Sequence, residues 1–186
     1  MLEIKFGEFP VLETERLLLR KFRIEDASDF FAQRTNDEVW KYIDKPKTQS
    51  VEEALELINK ILAAFENNEG IAWVMEIKET KKNIGNISFW RFEKENHRAE
   101  IGYLLLPEYW GKGIMKEAID AIVDYGFKNI RIHSIEANVN PKNKASLKLL
   151  EKSGFVQEGY FKENYFFNGK FYDSAIFSLV NPNHEY

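Results

Sequence analysis

The chain has 186 residues, enough for one domain with a substantial core, of which 44% are hydrophobic and 15% aromatic. A net charge of −4 argues against a nucleic-acid binder, which concentrates a basic excess on one face, and sits better with a cationic or amine-bearing partner. The absence of cysteine excludes disulfides, a thiol nucleophile and thiolate metal ligands, and suits a reducing cytosol.

The opening "MLEIKFGEFPVLETERLLLRKF" (1–22) carries charges throughout and lacks the apolar core of a secretion signal. Nowhere does an apolar run approach the roughly 20 residues that span a bilayer. A single cytoplasmic domain over 1–186, with no membrane partner, is the expectation. Within it, "RLLLRKF" (16–22) reads as a strand, and "RIEDASDFFAQRT" (23–35) as a first helix entered near Glu25 and Asp26. Ala54, Leu55, Ile58, Ile61, Leu62 and Phe65 follow the 3–4 spacing of an amphipathic helix, ended by "NNEG" (67–70).

Three β-rich segments come next: "IAWVMEIK" (71–78), "NIGNISFWRF" (83–92) and "HRAEIGYLLL" (97–106). The breaks "ETKK" and "EKEN" are short and polar, as antiparallel hairpins require. After Pro107 and two glycines, Ile114, Met115, Ala118, Ile119, Ile122 and Tyr125 describe another amphipathic helix. "HSIEANV" (133–139) is a further strand, and "NKASLKLLEKSG" (143–154) is a helix closed by Gly154. Two late strands, near 155–162 and 171–180, flank Asn168-Gly169, a strong hairpin signal. The fold class is therefore a mixed α/β sheet, with antiparallel hairpins first and then a βαβ unit.

Gly111 and Gly113 stand at the strand-to-helix corner of that unit. They either turn a tight corner or open the backbone to an anion at the helix N-terminus, where N–H groups lack partners and the helix dipole is positive. The phosphate loop of the nucleotide hydrolases needs Lys-Ser/Thr after its second glycine, whereas Lys112 precedes Gly113. The dinucleotide fingerprint needs a third glycine where Lys116 stands. Both patterns fail.

The stretch "PEYWGKGIM" (107–115), entered from an apolar strand, resembles the pyrophosphate loop of the GNAT acyl-CoA N-acyltransferases, Arg/Gln-x-x-Gly-x-Gly/Ala. Gly113 matches the central glycine, Trp110 replaces the leading Arg/Gln, and Met115 replaces the closing small residue. "NPKNKASLKLLEKSGF" (140–155) resembles a second family segment through Asn143, Ser146, Leu149, Gly154 and Phe155. The opening "LETERLLLRKFRIEDA" and the late "GKFYDSAIFSL" resemble the branch that contains the ribosomal-protein alanine acetyltransferases. The resemblance runs over residues 12–179.

It implies the GNAT fold, a predominantly antiparallel sheet with a splayed central βαβ region and flanking helices. It implies direct acetyl transfer from acetyl-CoA to a primary amine, with no metal. The acceptor is an N-terminal alanine of a ribosomal protein or a small amine such as a polyamine or aminoglycoside; a non-catalytic acyl-CoA-binding module is the rival from another class. Acetyl-CoA would lie on Leu104, Leu105, Leu106, Trp110, Gly111, Lys112, Gly113, Ile114, Met115 and Asn143, with a backbone N–H near Leu105 facing the thioester oxygen. Glu100, on the strand before the loop, is the first candidate for the base, ahead of Glu136 and Glu158. Leu150 stands where many relatives carry a proton-donating tyrosine, and in the ribosomal-protein branch Ser146 takes that role; Tyr103 and Tyr165 are alternatives. Each has a plainer reading: Glu100 as a solvated strand charge, Ser146 as a helix cap.

Trp40, Phe89, Trp90 and Tyr165 would line the acceptor pocket, although aromatics at strand spacing are more often core. His97, His133 and His184 are dispersed, so a metal site is not expected. An exposed late strand is compatible with a homodimer.

Overall fold

Residues 2–183 are described by a computed structural model built on one eight-stranded sheet, ordered β1-β2-β3-β4-β5-β6-β8-β7. The strands are β1 (Leu12–Glu13), β2 (Leu17–Arg20), β3 (Ile71–Ile77), β4 (Asn83–Glu93), β5 (Arg98–Leu105), β6 (Ser134–Val139), β7 (Val156–Phe167) and β8 (Lys170–Val180). All neighbours pair antiparallel except β5 and β6, which are parallel and joined through α4. The helices are α1 (Ala27–Thr35), α2 (Asp37–Trp40), α3 (Val51–Glu66), α4 (Ile114–Tyr125) and α5 (Lys144–Lys152).

Local chemistry sets the element ends. Ser50 Oγ accepts the N–H of Glu53 at 3.2 Å and starts α3, and Asn143 Oδ1 accepts the N–H of Ser146 at 3.1 Å and starts α5. Asn168 and Gly169 both adopt positive φ, 46° and 79°, which the two-residue β7–β8 turn requires. β7 runs beyond the predicted end at 162. The charged stretch "KEN" (162–164) does not break it, because a bulge at Glu163, φ 50°, absorbs the irregularity and Asp173 Oδ1 accepts the Glu163 N–H at 2.8 Å. The four-residue α2 is not foreseen by periodicity; Asn36 nucleates it by accepting the N–H groups of Glu38 and Val39.

Strand alternation divides the apolar residues between two faces. Trp73, Met75, Ile87, Phe89, Ile101 and Leu105 pack with Ile114, Met115, Ile119 and Ile122 of α4 and Leu150 of α5. On the opposite face Val74 packs with Phe22, Phe30, Ala54 and Ile58, carried by α1, α3 and the segment before them. Each of the larger aliphatic and phenylalanine side chains contributes about 1.5–3 kcal/mol through its burial. Arg20, Asp26 and Glu76 form a buried ion cluster: Arg20 donates to both Asp26 oxygens at 2.7 and 2.8 Å and to Glu76 Oε2 at 2.6 Å.

The site follows from one irregularity. β5 and β6 pair only from Arg98–Glu100 to Ser134–Glu136. Beyond that point β5 stays with β4 as far as Leu105, and β6 stays with β8 as far as Val139. The two parallel strands separate, and the sheet opens as a V.

Candidate active site

The V holds a cleft of about 910 Å³ that reaches both faces of the sheet. β5 shows why: Tyr103 packs toward the α4 and α5 face, while Leu104 joins Val39 and Trp40 on the other, so Glu100, two pairs of residues from Leu104, shares that second face. Leu106 donates its N–H to Ile84 C=O at 2.9 Å, on the β4 side. Backbone alternation therefore turns the N–H of Leu105 toward the opening.

On the α4 side, Gly111 and Gly113 both adopt positive φ, 72° and 75°. A Cβ on Gly111 would meet nothing within 4 Å, so the backbone conformation, rather than crowding, calls for glycine and leaves open space above the loop. The first bond across the start of α4 runs from Glu117 N–H to Gly113 C=O, 3.1 Å. The N–H groups of Ile114, Met115 and Lys116 precede it and have no acceptor within the helix. All three residues line the cleft, with Lys148 and Lys152 of α5 further along it. Charge on this side is positive.

Two braces hold the loop. Trp110 Nε1 donates to Leu105 C=O at 2.8 Å, tying the loop to the end of β5. Arg16 donates to Lys112 C=O at 2.9 Å and to Glu117 Oε2 at 2.7 Å, while Thr14 Oγ1 and the Arg16 N–H donate to Glu117 Oε1 at 2.5 and 2.8 Å. Sequence reasoning misses this clamp, since about a hundred residues separate its halves.

Where α5 meets β5, Tyr103 Oη and Ser146 Oγ share a hydrogen bond of 2.6 Å. Burial pushes the Tyr103 phenol up to about 12, against the pull of its Ser146 bond. Across the sheet, Glu100 is 9% exposed; burial, and then the charge of Glu136, push its carboxyl above the ordinary range, while Arg91 and Lys45 oppose them. Trp90, Arg91, Lys45, Asp44 and Tyr165 complete this end, and Tyr165 donates to Asp44 Oδ2 across the opening.

The family model of the acetyltransferase (GNAT) domain matches residues 16–156. The chain belongs to the GNAT acetyltransferase family. An uncharacterized N-acetyltransferase of Bacillus subtilis, YoaA, is 40% identical over 174 residues, 94% of this chain and 98% of that one. The ribosomal-protein-S5-alanine acetyltransferase of Vibrio fischeri has a TM-score of 0.82 at 28% identity, covering 95% of this chain and 100% of its own. The spermidine N-acetyltransferase of Vibrio cholerae, solved with CoA and spermine, has a TM-score of 0.80 at 27% identity, covering 91% of this chain and 98% of its own. This GNAT protein is an acetyl-CoA-dependent N-acetyltransferase.

Within the acetyltransferase, several predicted site residues lie elsewhere than the sequence places them. Phe89, predicted in the acceptor pocket, is fully buried on the α4 face between Trp73 and Phe92, because strand alternation sends Trp90, not Phe89, toward the cleft. Trp40 is buried behind the wall formed by Val39 and Leu104, its Nε1 donating to Lys45 C=O at 2.8 Å. Leu106 and the Lys112 side chain stand outside the lining; Lys112 lies 5.7 Å from the Tyr109 ring centre. Leu150 is fully buried in the core. Met115 is buried as well, yet lines the cleft with Leu104, Leu105, Trp110, Gly111, Gly113, Ile114 and Asn143.

Glu136 is bound by Arg98 at 3.0 Å, and Glu158 lines a separate small hollow with His133 and Ser178. His184 lies outside the described residues. Among the described residues no group of His, Asp or Glu is arranged to hold a metal ion, and no helix is long and apolar enough to cross a membrane.

Proposed function

We propose that the cleft transfers the acetyl group of acetyl-CoA directly to a primary amine, with the donor on the α4–α5 side and the acceptor on the Glu100 side. The observation that carries the reading is the separation of β5 from β6, which puts a helix N-terminus and three lysines at one end and a buried carboxylate at the other. The free N–H groups at the start of α4 and the cations Lys116, Lys148 and Lys152 suit a diphosphate, and the open space over Gly111 admits it. Asn143, whose Oδ1 caps α5, keeps its amide N–H₂ for the arm that follows the diphosphate.

Bound acetyl-CoA supplies the thioester, whose acetyl carbon passes to the amine nitrogen as the C–S bond breaks. The Leu105 N–H donates to the oxygen on which negative charge grows. Glu100 takes the proton the amine must lose, and its raised pKa brings it nearer the working pH of a base. The Tyr103–Ser146 pair delivers a proton to the departing sulfur, with Ser146 Oγ the donor and Tyr103 Oη re-supplying it. Water entering the open cleft then returns a proton to Tyr103 and takes the one held by Glu100. An N-terminal alanine of a ribosomal protein and a small amine are the acceptors that this reading admits.

Isothermal titration with acetyl-CoA tests it, using the wild type and Gly113→Asp. Aspartate tolerates positive φ, so the variant keeps its fold while setting a carboxylate at the anion bed. Micromolar binding that the variant loses supports the proposal. No binding by the wild type removes it, together with the alternative of a non-catalytic acyl-CoA-binding module.

A further inference from the structure

At the acceptor end, the carboxylates do not stand alone. Asp44 is engaged by Tyr165 Oη and, at 3.5 Å, by Asn140 Nδ2. Glu100 faces two cations, Arg91 with Nη1 at 3.6 Å, and Lys45, whose ammonium sits 5.0 Å from the centre of the Trp90 ring. All of these residues line the same opening.

Arg91 reaches this place through a backbone irregularity. The β4–β5 register shifts between Trp90 and Glu93, and Arg91 adopts φ 50°, a conformation that non-glycine residues reach only at a cost. Stability does not account for the arrangement: the Arg91 side chain is 62% exposed, and a loose pair of this kind contributes little to folding. A bulge that aims an exposed guanidinium into a substrate opening is better explained by what enters there.

We propose that the acceptor is a small primary amine that carries its own anionic group, a carboxylate or a phosphate, a few bonds from the nitrogen. Arg91 and Lys45 hold that anion, and Glu100 faces the amine. The inference rests on the acetyl-transfer reading of the cleft and narrows its substrate. A polyamine seated with one amine at Glu100 would bring its second ammonium against Arg91 and Lys45, whose like charge disfavours it relative to an anionic amine. The Asp44 carboxylate is already engaged by Tyr165 and Asn140. Arginine presents paired donors to the flat face of a carboxylate or to phosphate oxygens, and lysine adds a point charge.

The test compares kcat/KM for γ-aminobutyrate, phosphoethanolamine and putrescine at saturating acetyl-CoA, beside titration of acetyl-CoA alone. γ-Aminobutyrate and putrescine match in length and differ at the far end, anion against ammonium. The expected result is a preference of about 10-fold or more for one of the anionic amines, reversed in Arg91→Glu and in Lys45→Glu and reduced in Arg91→Asn. Asparagine adopts positive φ readily, so that last variant removes the charge without disturbing the bulge. Which anionic amine is the better substrate separates carboxylate from phosphate. A wild type that binds acetyl-CoA but prefers putrescine, or a ratio unchanged by all three variants, overturns the acceptor assignment and leaves the acetyl-transfer reading standing. Loss of acetyl-CoA binding itself overturns both.

Discussion

The hydroxyls of Tyr103 and Ser146 lie 2.6 Å apart, joining the strand that carries Glu100 to the first turn of α5. Leu150, where a proton-donating tyrosine stands in many relatives, is sealed in the core. On the proposed mechanism, the strand tyrosine and the helix serine take the place of that donor. With a pKa near 12, Tyr103 stays protonated through the alkaline range, so the pair supplies a neutral donor at every ordinary pH.

Ser146→Ala is expected to lower kcat by about 10²-fold and leave acetyl-CoA affinity within about 3-fold, with Tyr103→Phe weaker because Ser146 Oγ remains. Since neither group titrates in that range, the wild-type rate should show no alkaline fall from this pair below about pH 10. Stopped-flow kinetics over pH 6–10 would check both, and a Ser146→Ala enzyme with wild-type kcat would leave the serine as a structural partner of Tyr103 alone.

Glu100 gives a pH dependence of known sign. Its carboxyl is raised first by burial and then by Glu136, and it accepts a proton only when ionised. kcat/KM for the amine should therefore rise with pH through a limb above the ordinary 4.5, and Glu100→Gln should abolish that limb and cost about 10²-fold. A group with a raised folded pKa disfavours the fold once ionised, so stability increases as pH falls through that value. Glu100→Gln should then melt higher at pH 8 while losing activity; a lower Tm would contradict the assigned burial.

The Arg16–Glu117 clamp positions the glycine loop and touches no reacting atom. Burial pushes the Glu117 carboxyl up, but hydrogen bonds from Thr14 and Arg16 overcome it and hold it below the ordinary range. Its stabilising effect is thus present at neutral pH and lost as pH falls below the ordinary 4.5. Glu117→Gln should destabilise the protein by about 1–2 kcal/mol, and should raise KM for acetyl-CoA several-fold with kcat nearly unchanged. Equal changes in both kinetic constants would argue against a positioning role.

Arg20 holds two buried carboxylates, Asp26 and Glu76. Arg20→Met leaves both without their cation and is expected to cost about 3–5 kcal/mol. Urea unfolding gives the value directly, and a loss below about 1 kcal/mol would mean that water reaches the cluster.

Much of the fold is legible in the residues because its signals are local. The 3–4 spacing in α3 and α4, the Asn168-Gly169 turn and the polar breaks of the meander depend on neighbours a few positions apart. The glycines at the start of α4 are legible for the same reason, since positive φ is a demand on one residue. Other features depend on partners distant in the chain. Whether Phe89 or Trp90 faces the cleft turns on the parity of β4, and alternation alone does not say which face is core. The Tyr103–Ser146 bond, the clamp of Arg16 on Glu117 and the cations around Glu100 each join segments that the backbone pattern treats as independent. Residue order by itself determined the long helices, the meander, the late hairpin and the glycine corner before α4. Only the packed sheet, by separating β5 from β6 and turning each side chain to one face, decided which groups share the cleft.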